Sequence, residues 1–178
     1  MQKRKFIFAL AAVAGLSGCG SQVLEDYADG KPELDLRDYL NGPLTASGIF
    51  FDRAGRAELH FVVDMEGSWQ GNTGILAEQF RYSDGRTDER VWALRFQDSE
   101  RFTGTADDVV GEAQGMQTGN AATMTYRLRI PREDGEIVVS MEDWFYLQDD
   151  GTLINKTKMR KYGLTVGELV IAFRKQPE

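Results

Sequence analysis

Alternation of apolar and polar residues at a period of two, sustained over most of the chain, limits the fold more than any other feature. Ala57, Leu59, Phe61, Val63 and Met65 alternate with Glu58, His60 and Asp64, and Met124, Tyr126, Leu128 and Ile130 alternate with Thr123, Thr125, Arg127 and Arg129. Successive side chains of a strand point to opposite faces, so each run describes a strand with one buried side. The pattern returns at Trp92, Leu94 and Phe96, at Ile137, Val139 and Met141, and at Leu169, Ile171 and Phe173. Between the runs stand Asp84-Gly85, Asp134-Gly135 and Asp150-Gly151, dipeptides that accept the positive φ angles of tight hairpins. Sequence neighbours therefore pair antiparallel. No helical stretch is long enough for a crossover, which leaves a sandwich or an up-and-down barrel, and recurrent hairpins between neighbours favour an all-β barrel of about eight to ten strands. A helical period occurs in one place: Asp35 is placed to cap a turn in which Leu36, Tyr39 and Leu40 fall at i, i+3 and i+4, and Asn41-Gly42-Pro43 ends it. The expected domain, residues 34–178, is thus an antiparallel barrel preceded by a short N-terminal helix.

The first residues follow a different logic. Lys3, Arg4 and Lys5 precede an uncharged run from Phe6 to Leu16, and Leu16-Ser17-Gly18 leads to Cys19, the one cysteine of the chain. A basic start, a short apolar core and small residues are the layout of a secretory leader. The apolar run is about half of the ~20 residues a membrane-crossing helix needs. The run ending at Cys19 resembles a bacterial lipobox. That resemblance implies a signal peptide over residues 1–18, cleavage before Cys19, acylation of its thiol and amine, and a lipidated polar tether over residues 19–33. Two or more acyl chains anchor a protein stably where one is marginal. Gly20 and Ser21 follow the cysteine rather than aspartate, which by the same resemblance implies attachment to the outer membrane, facing the periplasm.

Removing residues 1–18 would leave 160 of the 178 residues, one domain with a real core. The loss of Lys3, Arg4 and Lys5 would also take the formal charge from −7 to −10. Such a charge disfavours nucleic acid and anionic lipid surfaces as general partners. With Cys19 acylated no thiol remains for a disulfide.

Reactive constellations are sparse. His60, the single histidine, falls on the polar side of its strand, and no serine stands in a nucleophile-elbow context, so a catalytic triad is not expected. No glycine-rich phosphate loop precedes a helix, and no cofactor follows from the motifs. Asp107, Asp108, Glu112, Asp143 and the pair Asp149-Asp150 could gather around calcium, but no EF-hand spacing supports a metal, and Asp149-Asp150-Gly151 reads as a hairpin turn. Of Gly67, Gly71, Gly74, Gly104, Gly111, Gly115 and Gly119, some must lie inside strands, where they read as bulges or sharp bends as a barrel turns its corners, or else let a ligand approach the backbone closely. Lys156, Lys158 and Arg160 share one face of a strand; they suit either a solvated edge or a rim that meets an anionic head group. Trp92, Tyr126, Trp144 and Tyr146 are candidates to line a ligand cavity, with Lys158 and Arg160 at its mouth. Trp69 reads as core.

Several runs resemble a known family: Tyr39-Leu40-Asn41-Gly42-Pro43-Leu44, Phe51-Asp52-Arg53, Glu66-Gly67-Ser68-Trp69, Tyr82-Ser83-Asp84-Gly85, Gly104 to Gly111, and Asp143-Trp144-Phe145-Tyr146-Leu147. They are similar to uncharacterised bacterial envelope lipoproteins with a lipocalin-like barrel. The resemblance spans nearly all of the mature chain and brings no catalytic or binding residues with it. Such proteins are often encoded near enzymes that modify fatty acyl chains, which implies a lipid connection. The reading that follows is a membrane-anchored protein, not an enzyme, binding a small apolar or acyl-chain ligand in a barrel cavity. Its alternatives are a filled barrel that docks a partner and a lipid-modifying isomerase or hydratase.

Overall fold

A computed structural model describes residues 22–132 and 134–176. The leader and Cys19 lie outside the described residues. Ten strands follow one another: β1 Gly42–Asp52, β2 Ala57–Gln70, β3 Thr73–Tyr82, β4 Thr87–Phe96, β5 Arg101–Thr105, β6 Ala113–Thr118, β7 Ala121–Arg132, β8 Gly135–Leu147, β9 Leu153–Lys161 and β10 Leu164–Lys175. Each pairs antiparallel with its sequence neighbours, and β10 pairs with β1 to close the barrel. Closure leaves no free sheet edge. The strand count falls at the upper end of the expected range, and the barrel is the expected all-β, lipocalin-like class.

The alternation sets the inner wall as read. Phe61, Val63, Met65, Met124 and Leu128 are buried, whereas Glu58, His60 and Arg127 face water. The Asp-Gly hairpins form where expected: Gly85 has φ 88° and Gly151 φ 78°, and the Asp150 carboxylate accepts the Thr152 N–H at 2.9 Å.

Glycines inside the strands behave differently from the expected bulges. The register shifts only between Phe50 and Phe51 and between Thr165 and Gly167, and runs unbroken through Gly67, Gly74, Gly104 and Gly115. These residues make room instead. A Cβ at Gly67 would overlap the carbonyl oxygen of Leu40, and one at Gly115 would enter the ring of Phe102.

One end of the barrel is plugged. The predicted helix is α1, Leu36–Tyr39, with Asp35 accepting the Arg37 N–H at 2.9 Å as its N-cap. A helix this short has little intrinsic stability, so it persists by packing. Leu34, Leu36, Tyr39 and Leu40 are all buried. The Tyr39 hydroxyl reaches the carbonyls of Gly151 and Phe173 at 2.9 and 3.0 Å and accepts the Leu153 N–H at 3.1 Å. The Leu36 N–H donates to Gln117 Oε1 at 3.0 Å. These bonds fasten the plug to β6, β10 and the β8–β9 turn.

The segment before α1 carries no periodic pattern, yet its described part lies on the barrel. A 3-10 turn at Leu24–Tyr27 sets the Tyr27 ring 5.9 Å from Trp144 and 5.4 Å from Tyr146. Gln22 donates to the Tyr146 hydroxyl at 2.9 Å.

Candidate functional site

Above the plug the barrel is hollow. A cavity of about 1020 Å3 runs from Leu36, Leu40 and Phe96 at the closed end to Arg86, Asp107 and Glu136 at the mouth. Ligand pockets span roughly 300–1,000 Å3, so this volume would admit a small molecule. Its walls are mainly Leu, Phe, Met and Trp side chains contributed by the inward phase of the alternation.

A belt of polar groups interrupts those walls at mid-height. Glu78 of β3 lies opposite Arg90 of β4 in the ladder, and their charged ends are 3.8 Å apart. Arg90 is committed elsewhere. Its Nε and Nη2 grip Asp108 at 3.0 and 2.6 Å, and its guanidinium lies 5.6 Å over the Phe80 ring and 5.9 Å over Trp92. Asp108 reaches this position because the loop between β5 and β6 leans on β7: Val109 bridges Leu128, and the Arg129 N–H donates to the Asp108 carbonyl at 2.8 Å. Glu78 Oε2 is buried and has no hydrogen-bond partner.

Asp143 of β8 forms the other half of the belt. It lies opposite Thr157 of β9, whose Oγ1 is 2.5 Å from Asp143 Oδ1 and 3.0 Å from Asn155 Oδ1. A hydroxyl has one proton and cannot donate to both oxygens. The Asn155 amide nitrogen already donates to the Trp144 carbonyl at 3.3 Å, which fixes its oxygen toward Thr157. A neutral Asp143 satisfies the whole chain, donating to Thr157 while Thr157 donates to Asn155. Burial acts in the same direction, pushing the Asp143 carboxyl up to about 6, while in the charged form hydrogen bonds from Thr157 and Tyr126 oppose that shift. Burial pushes Glu78 to about 7, only partly offset by Arg90, with Asp108 and Asp143 adding repulsion. Tyr126, also in the belt, is held well above the usual phenol range by burial and by Asp143.

The sequence candidates divide in two. Trp92 and Tyr126 line the cavity, edge to face with centroids 5.4 Å apart. Trp144 and Tyr146 lie on the outer wall, stacked at 6.2 Å beneath Tyr27. Lys158 and Arg160 are also outside: the inward phase of β9 is Asn155, Thr157 and Met159, and Arg160 pairs with Glu142 at 3.0 Å. They do not meet a head group in this cavity, because alternation that turns Thr157 inward turns its neighbours out. Among the described residues no group of three or more His, Cys, Asp or Glu is arranged to hold a metal ion. Trp69 packs edge-on to Phe96 at 5.8 Å near the closed end.

Glu78, Arg90, Asn155 and Thr157 were not singled out from the sequence. The available signal was a polar residue in an apolar phase: Glu78 falls between Leu76 and Phe80, and Asp143 between Met141 and Phe145.

A closed antiparallel barrel with one plugged end and a hollow interior is a lipocalin-like, cavity-bearing barrel. The chain belongs to the family described as "Protein of unknown function (DUF3833)", which matches residues 13–175. Among solved structures it is similar to the S-type phycobiliprotein lyase CPES from Guillardia theta, with a TM-score of 0.57 and 6% identity, covering 89% of this chain and 100% of that one. At that identity the likeness concerns the fold alone. No curated protein matches the sequence.

Proposed function

We propose that this chain is an envelope lipoprotein, anchored through acylated Cys19 at the periplasmic face of the outer membrane, whose barrel holds a single-chain amphiphile. The cavity of about 1020 Å3 with apolar walls and a polar belt carries this reading. A barrel filled by its own side chains would have favoured partner docking instead. The apolar walls suit an acyl or alkyl chain, since burying each CH2 contributes about 0.8 kcal/mol. The belt gives the polar end a place to hydrogen-bond. The phycobiliprotein lyase shares the barrel, which supports a binding role for such a fold without indicating the ligand. Gln22 is bonded to Tyr146 on the outer wall, and three residues span at most about 11 Å. The anchor would therefore hold the β8 flank close to the bilayer.

Two measurements test the reading. Metabolic labelling with a fatty acid should mark the protein and be lost in Cys19→Ala; label that persists on the variant removes the anchor assignment. Native mass spectrometry of the mature chain carrying Cys19→Ser should show a bound amphiphile carried through purification or taken up from added lipid. Absence of uptake across several lipid classes removes the binding role.

A further inference from the structure

The charge inventory of the cavity narrows the ligand. Seven carboxylate side chains line it against three cations, Arg86, Arg90 and Arg129, a formal balance of −4. Each cation is already engaged within the protein. Arg90 is bound to Asp108 at 2.6 Å, Arg86 to Asp84 at 2.8 Å, and Arg129 donates to the carbonyl of Asp107 at 2.5 Å. At the depth of the belt an anionic head group would find no positive charge but Arg90, already paired with Asp108, since Arg129 is bonded to the carbonyls of the β5–β6 loop nearer the mouth, and it would enter a net-negative lumen. Among the described residues the one unpartnered buried polar atom facing the cavity is an acceptor: Glu78 Oε2, on a residue only 9% exposed. A buried acceptor without a donor is costly, the more so when charged, so a ligand that brings the donor recovers that cost on binding.

We propose that the polar end of the ligand is a protonated amine received by Glu78, with Asp143 facing it from the opposite half of the belt. This rests on the binding role proposed above and specifies its ligand class: an alkyl chain bearing an ammonium group. An ammonium offers three donors and a full positive charge, which the belt lacks once Arg90 is committed to Asp108. The groups that bear on Glu78 are Arg90 of β4, Tyr82 of its own strand, Asp108 of the β5–β6 loop, Tyr126 of β7 and Asp143 of β8. Of these only Arg90 is cationic. The ammonium would favour ionised Glu78 and Asp143, so binding should release protons and strengthen as pH rises through about 6 to 7.

The test uses decylamine, decanol and decanoate, titrated into residues 19–178 carrying Cys19→Ser, which retain every described residue. Trp92, in the cavity wall, reports by fluorescence, with calorimetry beside it. At pH 8 decylamine should bind at least about tenfold more tightly than decanol, and decanoate most weakly. The amine remains protonated across this range, as lysine does with a pKa near 10.4, so its advantage over decanol should shrink severalfold at pH 5, where the carboxyls are neutral. Glu78→Gln should abolish the advantage and leave decanol unchanged. Equal affinity for all three, preference for decanoate, or an amine advantage independent of pH would overturn the amine assignment while the binding role stands. Failure of every probe to bind would remove both. The wild-type pH comparison decides even if Glu78→Gln does not fold.

Discussion

The lower and upper halves of one barrel, built from the same ten strands, solve opposite problems. At the closed end, inward side chains pack on one another: Phe96 stacks on its cross-strand neighbour Phe102 at 5.0 Å, and α1 with its C-cap adds the buried Leu36, Tyr39 and Leu40. In the upper half, inward side chains meet a cavity, and Glu78, Arg90, Tyr126 and Asp143 are among its ionisable lining. Alternation is equally regular in both. The difference teaches that a period of two assigns a face and leaves open whether that face is filled. Filling here depends on a four-residue helix, α1, supplied from outside the sheet.

The largest expected effect contrasts an aromatic from each half. Phe102→Ala should cost about 3–5 kcal/mol, as for a packed core ring, because Phe102 is 3% exposed and seated on Gly115. Phe80→Ala should cost under about 2 kcal/mol, since its ring is only half-buried and forfeits fewer contacts. Urea unfolding gives both values, and equal losses would break the distinction between the halves.

A loss of stability as pH rises toward neutrality belongs to the upper half. Folded Glu78 and Asp143 bind protons more tightly than the unfolded chain does, at about 7 and about 6 against ordinary values of 4.5 and 3.8. The stability they contribute is therefore complete below their ordinary values and is lost as pH rises through about 6 to 7. Wild-type stability minus that of the double variant Glu78→Gln with Asp143→Asn should fall by about 2–3 kcal/mol per carboxyl between pH 4 and pH 8, because a tenfold tighter hold on a proton is worth ~1.4 kcal/mol. A flat difference would mean that the belt is hydrated and its carboxyls ordinary.

Tyr39→Phe sharpens the contrast at the plug. It leaves the buried N–H of Leu153 without its acceptor and should cost about 1–2 kcal/mol, with amide exchange at Leu153 accelerating more than at β3 or β4. The smallest change is expected at Lys158→Ala, on the outer wall, which should alter stability by less than about 0.5 kcal/mol and leave amphiphile affinity in the cavity unchanged. A loss of affinity there would place the ligand outside the barrel.

Much of the wall was legible because its signals are local. Leu59, Phe61 and Val63 are inward because strand geometry allows no other phase once one of them is buried, and Asp84-Gly85 turns the chain without reference to anything distant. The belt was less legible. Asp108, Asp143, Trp92 and Tyr126 could be named as residues of interest, but Trp144 and Tyr146 looked equally suited, and their outward placement depends on the phase of β8 and on Tyr27 covering them. Lys158 and Arg160 were grouped correctly on one face of β9; which face was a question of what closed around it.

The sequence by itself determined the local quantities: a period of two, the hairpins, one capped turn at Asp35, and the sides to which residues of each strand belong. Those follow from backbone geometry and from the positive φ that glycine tolerates, both of which act over a few residues. Only the tertiary structure decided that β10 closes on β1, that residues 34–40 plug one end, and that the interior above them stays open. Curvature and closure are properties of all ten strands together. The same is true of the belt, because the separation of Glu78, Arg90, Asp108 and Asp143 along the chain says nothing of their distance across a lumen whose width is set by strand number and tilt.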